Sequence, residues 1–184
     1  GAENSHTAAI AKTINIDGMI PDVRVTGVWG ELPEFAQAAA DKGQILQIVG
    51  QPEDFIGEVD GVVVDHRHPV EHLPAAAPLL EAKIPLFIDK PFCYRVGEGK
   101  AFLSRAKELD VPITSFSVLP KQASFLKLKK QAEALGNIFS VVTTGPCDVH
   151  SPYGGVFFYG IHQVDMLLRL TGYDAVEANV NRGS

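Results

Sequence analysis

Two short apolar runs flank an Ala/Leu-rich segment between Asp60 and Phe92. The first, Gly61-Val62-Val63-Val64-Asp65, ends in polar residues and a proline. The second, Pro85-Leu86-Phe87-Ile88, delivers Asp89-Lys90-Pro91. The order reads as strand, helix, strand. Consecutive apolar residues in the first run predict a strand buried on both faces, the pattern of a parallel sheet covered by helices. Lys90 then stands at the carboxyl end of a strand, where open α/β sheets bind their ligands.

The same alternation runs through the first two thirds of the chain. Helices are predicted over Ser5–Ile16, Pro33–Lys42, Val70–Lys83 and Gly97–Asp110, with Pro33 suited to a first turn and Gly43 to a stop. Strands are predicted over Val23–Trp29, Ile45–Val49, Val62–Asp65, Pro85–Asp89 and Pro112–Phe116. Strands alternating with helices of this length predict an α/β, doubly wound parallel sheet. After Leu119-Pro120 the rhythm changes. A helix over Ser124–Leu135, a strand over Ile138–Thr144, a Gly-rich stretch, an apolar helix over Gly160–Leu170 and a strand over Ala175–Val180 follow. The expected division is 1–118 and 119–184. The chain enters a helix almost at once, so a strand is expected before Gly1. The second part carries too few strands to complete a sheet, so a piece of a longer protein is expected.

Composition narrows the function classes. A chain with 46% hydrophobic and 21% charged residues has an ordinary globular balance. A net charge of −6 argues against a nucleic-acid surface. Lys121, Lys127, Lys129 and Lys130 read as a solvated helix face. Cys93 and Cys147 lack metal-ligand spacing and are expected as free, buried thiols of a cytoplasmic protein. No apolar run approaches the roughly 20 residues a bilayer requires, and no signal peptide is evident.

Five segments carry candidate chemistry. Gly1-Ala2-Glu3-Asn4-Ser5-His6 lies where a strand-to-helix phosphate turn belongs, although Glu3 stands where a second glycine is usual. An ordinary helix start capped by Asn4 or Ser5 is the alternative. Trp29-Gly30-Glu31 ends the next strand, with Glu31 one position past the place of a ribose-binding acid. Asp65-His66-Arg67-His68 reads better as a loop over a ligand, with His72 in the first turns of the helix after Pro69, than as a zinc site, and no metal is expected. The plain alternative is that His68 caps a helix and Arg67 is solvated. Lys90 suits a proton donor or an electrostatic clamp on a hydroxyl, and a surface ion pair with Asp89 is the alternative. His162 and Asp165, three apart, share a face of an apolar helix, and His162 suits acid/base work near neutral pH. A core histidine with a polar partner is the alternative.

In their order and spacing these pieces resemble the glucose–fructose oxidoreductase/inositol dehydrogenase (Gfo/Idh/MocA) family. The matching residues are Pro69-Val70-Glu71-His72, Asp89-Lys90-Pro91 in place of Glu-Lys-Pro, Gly154-Gly155, Gly160-Ile161-His162 and Asp165. The resemblance implies a Rossmann-type domain followed by an α/β (α+β) domain with an open, mostly antiparallel sheet. It implies NAD or NADP, with NAD favoured by Glu31, and hydride transfer at a hydroxyl of a sugar, cyclitol or related polyol. A homodimer or homotetramer is implied, with no nucleic-acid or membrane partner. Lys90 and His162 match the family's catalytic pair, and Asp165 is expected to orient His162 or bind a substrate hydroxyl. The expected cofactor contacts are Gly1, Ala2, Glu3, Asn4, Ser5, His6, Gly30, Glu31, Asp65, His66, Arg67, His68, His72, Asp89, Lys90 and Pro91. Tyr153, Tyr159 and His162 are the expected substrate contacts. Phe158 departs from the family, which often has an aspartate four residues before the histidine. Phe158 and Glu3 motivate a second reading, a redox-silent relative that binds a sugar or nucleotide as a sensor. A third reading keeps the cofactor for glycoside cleavage.

Overall fold

The computed structural model describes residues 1–179 and 181. Six helices alternate with five strands in the order α1 (Ser5–Asn15), β1 (Gly27–Val28), α2 (Pro33–Gly43), β2 (Gln47–Ile48), β3 (Val62–Val64), α3 (His72–Glu81), β4 (Leu86–Ile88), α4 (Val96–Leu109), β5 (Ile113–Thr114), α5 (Ala123–Ala134) and α6 (Phe157–Thr171). Every strand pairing is parallel. β1 pairs with β2, and β3, β4 and β5 pair in that order. This is the expected α/β architecture.

The helices begin and end for local reasons. Asn4 caps α1 by accepting a hydrogen bond from the amide of His6 at 3.1 Å. Pro33 opens α2, where its missing N–H costs nothing. Gly43 is not the expected stop residue. It is the last helical residue, and Gln44 takes the left-handed conformation at φ 50. Gly43 is needed for packing instead, because a Cβ there would collide with the Cβ of Ala11 on α1. α1 and α2 thereby approach closely over small residues.

The apolar side chains form two cores. One joins Val64, Leu73, Leu79, Leu86, Ile88 and Phe102 around β3, β4, α3 and α4. The other joins Ala2, Ala11, Val28, Ala36, Ala40 and Ile45 around β1, α1 and α2. Each fully buried Leu or Ile contributes on the order of 1.5–3 kcal/mol. A cavity of about 750 Å³, lined by Val23 to Trp29 on one side and Gly61 to His66 on the other, runs between β1 and β3. β1 is shorter than the expected Val23–Trp29: the Thr26 carbonyl still accepts from the Gln47 amide of β2 at 3.1 Å, but the Val25 amide and carbonyl bond the Asn15 side chain instead of a strand.

Two expected strands do not form. Residues 138–144 are irregular and mostly exposed, and so are 175–179. Val180, the end of the second, lies outside the described residues. A strand needs a partner for its backbone groups, and among the described residues none runs beside either segment. Cys147 is exposed and Cys93 half-buried, so neither is the buried thiol expected.

Candidate functional site

The segments after β4 and β5 meet α6 through Lys90 over Phe158 and Ser117 against His162. The Asp89 amide donates to the Val64 carbonyl at 2.8 Å, which holds the β3 and β4 ends together and presents Lys90 just beyond. From α6, His162 Nδ1 meets Ser117 Oγ at 2.7 Å. Ser117 follows β5 and is buried. Its amide donates to Asp165 Oδ2 at 3.4 Å, while Arg169 Nε donates to Asp165 Oδ1 at 3.2 Å. Asp165 has no direct bond to His162. It acts on His162 through Ser117, because the carboxylate one helical turn on reaches the β5 end and Arg169. Burial, and then the charge of Lys90, hold the His162 pKa below its ordinary 6.5, against the opposing pull of Asp89. His162 is therefore neutral at pH 7. Ser117 is the residue that the sequence reading missed. Its available signal was its place, a small hydroxyl directly after a predicted strand.

Asp89 does not face Lys90 as an ion pair. His6 Nδ1 lies 2.9 Å from Asp89 Oδ2. Burial pushes the Asp89 carboxyl up, but the bonds from His6 and from the Lys90 backbone outweigh it and leave the pKa below the usual range. The same bond raises the pKa of His6, against the cost of burial. Lys90 Nζ instead lies over the Phe158 ring, 5.6 Å from its centroid.

The turn before α1 is tightly committed. Asn4 Nδ2 donates to the Asp65 carbonyl at 2.7 Å, and Thr7 Oγ1 donates to the Asp65 carboxylate at 2.7 Å. Burial pushes the Asp65 pKa up, with the Thr7 bond among the opposing effects. Glu3 Oε1 accepts from the Arg67 amide at 2.9 Å, while Oε2 is buried without a partner. A Cβ on Gly1 would strike that carboxylate and the His66 ring. Ala2 is buried against Gly30, where an added Cβ would stand 2.9 Å from the Ala2 methyl. Gly30 is thus a position where close packing leaves no room for a side chain. Ser5 is exposed at the first position of α1.

The loop after β3 splits its residues between tasks. His66 Nε2 meets the Glu31 carboxylate. Burial pushes the His66 pKa down, against the pull of Glu31. His68 Nδ1 accepts from the Val70 amide at 3.1 Å and its ring meets Tyr94 edge-on. His72, expected as a cofactor contact, is fully buried beneath the loops. Its Nε2 lies 2.8 Å from the His66 carbonyl and its Nδ1 2.9 Å from the Pro91 carbonyl. Burial holds its pKa below the ordinary value. His72 is a strut between the β3 and β4 loops, and a residue sealed there cannot touch a ligand. Arg67 lies over the Tyr153 ring at 5.3 Å, and Tyr153 packs 5.0 Å from Phe158. Tyr159 is half exposed, 6.3 Å from His162 between ring centroids.

This edge fits a dinucleotide in most of its parts. The start of an 11-residue helix, side-chain-free Gly1 and the Glu31 carboxylate follow one another along it. The exception is Glu3, whose carboxylate folds against Gly1 where a phosphate would approach. Among the described residues no three His, Cys, Asp or Glu side chains gather as a metal site, and no helix is long and apolar enough to cross a membrane.

No family model and no curated protein matches the chain. Solved structures do. GenD2 from gentamicin A biosynthesis in complex with NAD superposes with a TM-score of 0.75 at 18% identity, over 94% of this chain and 52% of that one. An NAD-binding protein from Listeria innocua gives 0.73 at 24%, over 88% and 51%. Scyllo-inositol dehydrogenase from Lactobacillus casei, with bound NAD(H) and scyllo-inositol, gives 0.69 at 16%, over 89% and 53%. The chain spans about half the length of each. At these identities the likeness establishes the fold alone, an α/β arrangement of Rossmann type.

Proposed function

We propose that this chain is the nucleotide-binding part of an NAD(P)-dependent oxidoreductase of the Gfo/Idh/MocA family, acting at a CH–OH group of a sugar, cyclitol or related polyol. The observation that carries the reading is a neutral His162, anchored by Ser117, beside Lys90 at the carboxyl edge of the sheet. Two solved structures of the same fold carry NAD, one of them with scyllo-inositol. Gly1 and the start of α1 would hold the pyrophosphate, and Glu31 the adenosine ribose. A carboxylate at that place repels a 2′-phosphate, which favours NAD over NADP.

When bound, the nicotinamide supplies the hydride acceptor. The chain's own residues handle the proton and the charge. With Nδ1–H donated to Ser117 Oγ, His162 keeps a lone pair on Nε2 and takes the hydroxyl proton. The Lys90 ammonium stabilises the negative charge that develops on that oxygen. Asp165 keeps Ser117 in place. A division near residue 118, a homodimer or homotetramer and a cytoplasmic location belong to the same proposal. The test is a fluorescence titration of the full-length protein with NADH and with NADPH. Micromolar binding of NADH is expected, and no binding of either at millimolar concentration would sink the reading.

A second reading, a redox-silent binding protein, is favoured by Phe158 and by Glu3 in the phosphate turn. Steady oxidation of any polyol with NAD rules it out.

A further inference from the structure

Two cations at the carboxyl edge have aromatic faces where carboxylates would be expected. Arg67, three residues past β3, lies with Cζ 5.3 Å from the Tyr153 ring centroid. Lys90, two residues past β4, lies with Nζ 5.6 Å from the Phe158 centroid. The two rings touch at 5.0 Å, so cation, ring, ring and cation form one continuous row. All four side chains are half-buried.

Among the described residues neither cation lies within 4.0 Å of a carboxylate. The nearby acids are engaged elsewhere. Asp89 bonds His6, Asp65 bonds Thr7, and Glu3 bonds the backbone amide of Arg67 rather than its guanidinium. The Arg67 guanidinium has no hydrogen-bond partner among the described residues. An arginine stacked on a ring keeps its in-plane N–H groups turned outward, the fork that receives a carboxylate in two parallel bonds. A π face holds a cation without neutralising it. An aspartate at 158 would cancel Lys90, whereas Phe158 leaves its charge available. The elements around this row therefore present two cations, neither in a direct ion pair, beside an aromatic wall.

We infer that the substrate of this site is a carboxylate-bearing sugar, a uronate or aldonate, whose carboxylate is received by Arg67 while its reacting hydroxyl lies at Lys90 and His162. The inference rests on the oxidoreductase reading for the second half of that assignment. Arg67 sets specificity. The Tyr153–Phe158 pair takes the apolar face of the sugar, a contact that a carboxylate at 158 could not make.

The test is calorimetric titration of the full-length protein, with and without NADH, using D-glucuronate, D-galacturonate and D-gluconate against D-glucose, D-galactose and myo-inositol. At least one acid is expected to bind about tenfold or more tightly than its neutral counterpart. Arg67→Gln is expected to erase that preference without weakening the neutral sugar, and Arg67→Lys to keep part of it. An unchanged melting temperature in Arg67→Gln shows that the variant is folded. Equal binding of acids and neutral sugars, no binding of any acid, or an acid preference that survives Arg67→Gln overturns the inference. Wild-type protein that prefers the acid but binds no NADH leaves the carboxylate site standing and sinks the oxidoreductase reading instead.

Discussion

Ser117 Oγ stands 2.7 Å from His162 Nδ1 across 45 residues of sequence, and Asp165 holds the Ser117 amide from the same helix that carries His162. In the proposed reaction this contact leaves Nε2 of His162 to face the substrate. Ser117→Ala should lower kcat/KM about tenfold, the rate equivalent of one hydrogen bond of about 1.4 kcal/mol. Ser117→Thr should recover most of the loss. The His162 imidazole resonances, followed by NMR, should change tautomer in Ser117→Ala and stay wild-type in Ser117→Thr.

The pH dependence of the reaction has a defined sign. His162 must be neutral to accept a proton, and its pKa lies below 6.5. The kcat/KM for oxidation should therefore be level through pH 7 and fall on the acid side of 6.5. Lys90 is the second cause of the depression, after burial. An NMR titration of His162 in Lys90→Met should show a higher pKa than in the wild type, and an unchanged value would separate the two side chains.

His6 and Asp89 make a stability prediction. The folded pKa of His6 is raised above 6.5, so its contribution is complete below that pH and is lost as pH rises through the folded value. The folded pKa of Asp89 is depressed below 3.8, so its contribution is present above that pH and is lost as pH falls through the folded value. The pair is strongest between these limits, near pH 5. The melting-temperature difference between wild type and His6→Ala should peak there and shrink by pH 8. Asp89→Asn should remove most of that difference in a double-mutant cycle.

Glu3→Ala tests the phosphate turn. Removing a carboxylate that folds over Gly1 should tighten NADH binding about tenfold, or about 1.4 kcal/mol. Equal NADH affinity in variant and wild type would mean that the dinucleotide does not approach this turn.

His72→Leu should destabilise the protein by about 2–4 kcal/mol in urea unfolding, because the carbonyl that takes the single N–H of the neutral ring, that of His66 or Pro91, then loses its buried donor. A loss under 1 kcal/mol would show that the strut does not hold the two loops.

Much of the architecture was legible in the chain because its cause is local. Apolar β-branched runs, capping residues and helix-length spacing predicted all six helices and the five parallel strands. The pattern at 138–144 was equally strand-like, yet no strand forms there. Period and propensity describe what a segment can do, whereas a strand also needs a neighbour, and that is decided at long range.

The site divides in the same way. Sequence alone put Lys90 at a strand end and His162 at the start of an apolar helix, because both positions follow from the order of elements. It could not foresee that Asp165, on the face of His162, turns to Ser117 and Arg169. It placed His72 in the first turns of the helix after Pro69, where α3 begins, but could not foresee that His72 is sealed inside while His66 meets Glu31 and His68 caps a turn. Gly43 looked like a helix stop, and it is the last helical residue, kept small by Ala11 of α1. Distances between residues far apart in the chain decided each of these, since burial and partner geometry arise only when separate elements are brought together.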